Sequence, residues 1–150
     1  MHKSLALDFN SVFSGYLEKH TFSEFGKELQ LSFFPEIYVV IPCYDEGDIH
    51  PVLHSLKHAF QGCDLSICVI CVVNSSENTE IKILQNNKIT IKSIQTFTET
   101  IKDIKNFQVA YIDAAGLPVK EAGVGLARKI GMDAVIYFCK EYSQDSVILC

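Results

Sequence analysis

The chain has 150 residues, 48% of them hydrophobic and 21% charged, with a formal net charge of −5. That length suits one domain with a real core, and that composition excludes a disordered chain. The acidic balance excludes a surface built for nucleic acid or anionic membrane, because both need clustered positive charge.

The longest apolar run, Ile67 to Val73, has seven residues, against the roughly 20 that a membrane-crossing helix requires. The amino terminus carries Asp8, Asn10 and Glu18 rather than an apolar stretch with a cleavage site. No signal peptide is expected, and the expected location is cytoplasmic. Six cysteines, at positions 43, 63, 68, 71, 139 and 150, raise the question of disulfides or a metal. Cys68 and Cys71 form a C-x-x-C, but they lie within the apolar run. Residues three apart on a strand point to opposite faces, so the two sulfurs could not share an ion. The expected role is small buried hydrophobes in a reducing compartment.

Residues 1–36 read as an amphipathic helical lead-in, with Phe9, Val12, Phe13, Tyr16 and Leu17 at helical spacing. A second short helical stretch runs from Phe22 to Leu29, and Pro35 closes it. Ile37 to Ile41 is a continuous β-branched run, expected as a buried strand that Pro42 stops. Asp48 is the expected cap of the next helix, with Pro51 in its first turn. Val52, Leu53, Leu56, Ala59 and Phe60 supply its apolar stripe. His50, His54 and His58 form an i, i+4, i+8 row on the opposite face, expected to be turned to solvent.

Leu65 to Val73 reads as the second strand, ended by Asn74-Ser75-Ser76. From Glu80 to Lys105 an unbroken 3-4 spacing of Ile81, Leu84, Lys88, Ile91, Ile94, Thr98, Ile101 and Lys105 predicts one long helix, beginning near Asn78 or Thr79. Phe107 to Ile112 is the third predicted strand and Ala114 to Pro118 a loop. Lys120 to Tyr142 reads as a helix and Ser146 to Cys150 as a fourth strand. The alternation predicts an α/β fold: an open, mostly parallel, Rossmann-like sheet with helices on both faces over 37–150. The chain ends inside a strand, so the expectation is the amino-terminal part of a longer protein, with an exposed sheet edge that favours self-association.

In a parallel sheet, ligand sites lie at the carboxyl ends of the strands. Three polar segments fall there: Pro42-Cys43-Tyr44-Asp45-Glu46-Gly47, Asn74-Ser75-Ser76-Glu77 and Asp113-Ala114-Ala115-Gly116. Together they form the candidate site. Gly123-x-Gly125 is no dinucleotide fingerprint: Arg128 fills the third glycine slot, and the pair does not open the first βα unit. Small residues there would let the helix start close to the sheet or to a phosphate.

Val39 to Glu46 resembles the V-V-I-P-x-Y-N-E opening of family 2 glycosyltransferases of GT-A fold. Val72 to Ser76 is similar to that family's V-V-D-D-G-S or V-N-S-S turn. Ala122 to Ala134 resembles its G-x-x-x-A-R-N-x-G-x-x-x-A helix, and Asp145 to Cys150 resembles the strand that precedes its Asp-x-Asp. The resemblance implies the first half of a GT-A fold that binds a nucleotide-diphosphate sugar for transfer, with inversion, to an acceptor. Tyr44 and the Pro42-Cys43 backbone would flank the base, with Asp45, Glu46 and Asp113 on the base and ribose side. Asn74, followed by Ser75, stands where the family has a base-reading Asp. Arg128 and Lys129 would face the diphosphate. A divalent cation, manganese or magnesium, is expected in the full-length protein, held by ligands beyond this chain. Neither a metal ligand nor a catalytic base is expected here, so the chain alone should be inactive. A non-catalytic nucleotide-binding or interaction module of the same fold is the alternative.

Overall fold

Four apolar runs, β-branched above all in the first two, become four parallel strands, and the apolar stripes between them become helices that pack on both sides. The computed structural model describes residues 9–22, 25–26, 29–142 and 146–150. In chain order the elements are α1 (Phe9–His20), β1 (Ile37–Cys43), α2 (His50–Ala59), β2 (Ile67–Ser76), α3 (Ile81–Ile101), β3 (Phe107–Leu117), α4 (Val124–Tyr142) and β4 (Val147–Leu149). The sheet order is β3-β2-β1-β4, with β1 pairing in parallel to β2 and β4, and β2 to β3. This is the predicted open Rossmann-like α/β sheet.

The period of two along each strand sorts the core into two layers. Even positions of β1 and β2, from Tyr38 and Val40 to Cys68, Ile70 and Val72, meet Ile130, Ala134, Val135 and Phe138 of α4, with Phe13 of α1 alongside. Odd positions, such as Ile67, Val69 and Val73, meet Leu53 of α2 and Ile94, Phe97 and Ile101 of α3. Cys68 and Cys71 fall in opposite layers, as their spacing requires. Burying each such aliphatic side chain contributes about 1.5–3 kcal/mol, so the buried β2 serves both layers at once.

Several element ends differ from the sequence reading. β1 runs through Pro42 to Cys43, because β4 pairs only with Ile37 to Val39 and leaves that flank of β1 without a ladder. β2 continues through Asn74, Ser75 and Ser76, and β3 continues through Leu117, each supporting the other past a register shift between Asn74 and Ser76. The long third helix is present but ends at Ile101, and α4 begins at Val124 rather than Lys120. Ile49, not Asp48, occupies the α2 cap position; Asp48 acts one residue earlier, its carboxylate accepting the His50 N–H at 3.0 Å.

Val52 is largely exposed rather than part of the core. The histidine row departs from expectation in part. His54 and His58 are exposed, but His50 Nε2 lies 3.0 Å from the Ser93 carbonyl and the His54 ring stands edge-on to Phe97, so these two also touch α3. Of the second amino-terminal stretch, Phe22, Phe25, Gly26 and Leu29 are described, with a turn at Phe25–Gly26; the rest of it lies outside the described residues, as does Asp145.

Candidate functional site

A cleft of about 460 Å³ opens at the carboxyl ends of β1 and β2 and the amino end of α4. Its β-side wall is Pro42, Tyr44 and Glu46, its floor is Asn74, and Gly123 and Val124 close it from α4. The location follows from topology, since ligands in open parallel sheets bind outside the carboxyl ends where strand order reverses. Here the order reverses at β1.

The alternation that layers the core also decides which candidates reach the cleft. Pro42 and Asn74 share the even parity of Val40 and Val72, so they face the α4 side where the cleft lies. Cys43 has odd parity and is buried against the α2 and α3 layer. Ser75 and Asp113 share that odd parity and do not line the cleft; Ser75 is buried and Asp113 exposed.

Past Cys43 the chain turns sharply. Asp45 has φ +57 and Gly47 φ +68, left-handed conformations that aspartate and glycine accept more readily than other residues. The turn directs the Asp45 carboxylate to α3, where Asn86 Nδ2 donates to Oδ1 at 2.7 Å, while Tyr44 and Glu46 face the cleft. Tyr44 is 48% exposed, an aromatic face open at the mouth.

Asn74 lines the cleft with only 4% of its surface exposed. Its backbone carbonyl accepts from Asn87 Nδ2 at 3.0 Å. Its carboxamide places one donor and one acceptor on the lining of the cleft.

At the far wall, Glu121 and Ala122 donate to the Pro118 carbonyl, and Ala127 N–H donates to the Gly123 carbonyl as α4 begins. The first-turn N–H groups have no intrahelical acceptors and carry the positive end of the helix dipole. A Cβ at Gly123 or Gly125 would meet open space, so packing against the sheet does not demand glycine there. Close approach occurs instead at Gly131, where a Cβ would run into Val40 and come within 3.0 Å of Val72.

Arg128 is exposed one turn into α4, beyond the cleft lining. Lys129 is turned away from it. Its Nζ pairs with Asp133 at 2.7 Å and donates to Tyr16 Oη at 3.3 Å, tying α4 to α1. Among the described residues no three His, Cys, Asp or Glu side chains converge on a point that could hold a metal ion. Among the described residues Glu46 is the only carboxylate lining the cleft, and these residues do not fit a bound divalent cation.

The sequence reading missed Thr79 and Asn87. Thr79 Oγ1 accepts the Ser76 N–H at 2.9 Å and shapes the cleft edge. Compared with known protein families, curated proteins and solved structures, the chain matches none.

Proposed function

We propose that the cleft binds the nucleotide part of a nucleotide-diphosphate sugar, and that the chain is the donor-binding half of a glycosyltransferase. The observation that carries this reading is the Asn74 carboxamide on the cleft lining, set between an exposed aromatic ring and a helix amino end. A base stacks on Tyr44 while its polar edge meets Asn74, since a carboxamide offers a donor and an acceptor side by side. Glu46 accepts from ribose hydroxyls. The diphosphate lies against the first-turn N–H groups of α4, an anion site by dipole and donor geometry, with the Arg128 guanidinium one turn further on. Transfer of the sugar rests on the resemblance of residues 37–150 to family 2 glycosyltransferases. A non-catalytic nucleotide-binding module is the second reading, favoured by there being a single carboxylate on the cleft among the described residues.

Calorimetric titration with UDP, GDP, CDP and ADP, with and without manganese, tests the binding. At least one nucleotide should bind, and Tyr44→Ala should weaken it about tenfold, the order expected for a lost base–aromatic stack. Asn74→Leu should weaken it by a similar factor while leaving the fold intact, because the backbone carbonyl that Asn87 bonds is kept. Flat titrations for every nucleotide would overturn the reading.

A further inference from the structure

We propose that Asn87 is a positioning residue for the cleft: a carboxamide latch on α3 that holds the β1 wall and the β2 floor in register from behind. The inference rests on the cleft being a ligand site, but not on which ligand fills it.

The buried face of α3 is the stripe Asn87, Thr90, Ile94, Phe97 and Ile101. An aliphatic residue at its first position would pack against the sheet without burying polar atoms. Asparagine stands there instead, 6% exposed, and both ends of its amide are used. The Asp45 backbone N–H donates to Oδ1 at 3.0 Å, and Nδ2 donates to the Asn74 carbonyl at 3.0 Å. One side chain therefore bridges the turn that carries Tyr44 and Glu46 to the strand end that carries the Asn74 amide. The two partners differ in kind, one donor and one acceptor, so the amide fits in a single orientation. Asn86 adds a second bond to the same turn through the Asp45 carboxylate, and Thr90 Oγ1 donates to the Asn86 carbonyl at 3.1 Å. A left-handed aspartate is a sparsely populated conformation that persists only where its surroundings over-determine it; here the Asn86-Asn87 pair does so. With the latch broken, Asp45 can relax, and Tyr44 and Glu46 lose their fixed distance from Asn74.

Asn87→Asp provides a test that a purely structural residue would not pass. An ionised aspartate keeps the acceptor for the Asp45 N–H but sets a second acceptor against the Asn74 carbonyl. A protonated aspartic acid restores one donor and one acceptor in nearly the same shape. The titratable groups around the latch are exposed Asp45, Glu46 and Asp48 after β1, Asp113 on β3 and Lys88 on α3, together with buried Cys43 on β1 and His50 of α2, whose ring bonds the Ser93 carbonyl of α3. Wild type measured in parallel at each pH accounts for them and for the ligand.

Binding of whichever nucleoside diphosphate the wild-type chain takes is measured from pH 8 to pH 5, alongside hydrogen exchange of the Asp45 amide. In Asn87→Asp, affinity should fall about 10- to 100-fold at pH 8, as for an unmet buried bond, and return toward wild type at pH 5. Asn87→Leu should be weak throughout. Asn86→Ala, which removes only the outer bond, should cost about 2- to 10-fold, the worth of one ordinary hydrogen bond. Asp45 exchange should speed up in Asn87→Asp at pH 8 relative to wild type at the same pH, and this difference should close at pH 5. If the wild-type chain binds no nucleotide, the functional reading fails while the exchange arm still decides the latch. Unchanged Asp45 exchange in both Asn87 variants, or wild-type affinity in Asn87→Leu, would overturn it.

Discussion

Tyr16 on α1 donates its phenolic hydroxyl to Asp133 Oδ1 on α4 at 2.9 Å, joining residues from opposite ends of the chain. The other carboxylate oxygen takes the Lys129 ammonium at 2.7 Å, and the same ammonium lies 5.3 Å from the centre of the Tyr16 ring. Asp133 is a buried charge, tolerable because both oxygens are bonded. Tyr16→Phe should cost about 1 kcal/mol by removing one bond. Asp133→Ala should cost about 3 kcal/mol, because it strips two partners at once. Urea denaturation measures both.

Lys129 also predicts a response to pH. Burial works against its charge, but the hydrogen bonds to Asp133 and Tyr16 outweigh this and raise its pKa above the ordinary 10.5. A group raised on folding stabilises the native state fully below its unfolded value and loses that contribution as pH climbs through the folded one. Thermal stability should therefore fall above pH 10.5 more steeply in wild type than in Lys129→Met. Equal slopes would show that the pair contributes nothing to folding.

Gly131 is where α4 lies closest to the sheet, against Val40 and Val72. Gly131→Ala gains about 1 kcal/mol of helix propensity, yet the new methyl strikes a β-branched side chain with little rotamer freedom. The net effect should be a loss of about 1–2 kcal/mol. Val40→Ala in the same chain should recover most of it, which a double-mutant cycle would read as coupling.

The strands and long helix were legible because their signals are dense: β-branched runs in β1 and β2, and a 3-4 spacing unbroken by glycine or proline in α3. Strand ends were not, because Asn74-Ser75-Ser76 and Asp113 to Leu117 have turn-like composition, and only mutual pairing keeps them extended. Parity was available and would have separated Pro42 and Asn74 from Cys43, Ser75 and Asp113. The spacing of Lys129 and Asp133, i and i+4 on one helix, was also a readable sign of an ion pair. Asn87 left a fainter trace, one amide heading an otherwise apolar and threonine stripe.

Thiol reactivity should follow burial rather than the C-x-x-C pattern. Burial pushes the Cys68 thiol well up, and at Cys71 a hydrogen bond with Cys43, with burial second to it, pushes in the same direction. A water-soluble disulfide reagent at neutral pH should modify exposed Cys150 readily and half-buried Cys63 slowly. Cys43, Cys68, Cys71 and Cys139 should react only after unfolding. Fast native labelling of Cys68 or Cys71 would contradict the layer assignment.

With Glu46 the only carboxylate lining the cleft among the described residues, binding and turnover should separate. An inverting transfer needs a carboxylate to deprotonate the acceptor hydroxyl. The purified chain, incubated with a panel of nucleotide sugars, should release no nucleotide diphosphate above the buffer rate, with or without manganese or magnesium. Turnover that disappears in Glu46→Gln would show a complete catalytic site.

The sheet order has a kinetic consequence. β1, β2 and β3 are neighbours in space as they are in sequence, each joined to the next by a single crossover. β4 instead pairs Leu149 with Val39, over a hundred residues away along the chain, and does so through three residues whose outer two are largely exposed. Closing so long a loop carries the largest entropic cost in the sheet, and the short strand returns little for it. The β1–β4 seam should zip last during folding and open first from the native state, by local excursions well below global unfolding. The Val147 amide, bonded to the Glu36 carbonyl at 2.9 Å, would then exchange with solvent long before the amides of β2.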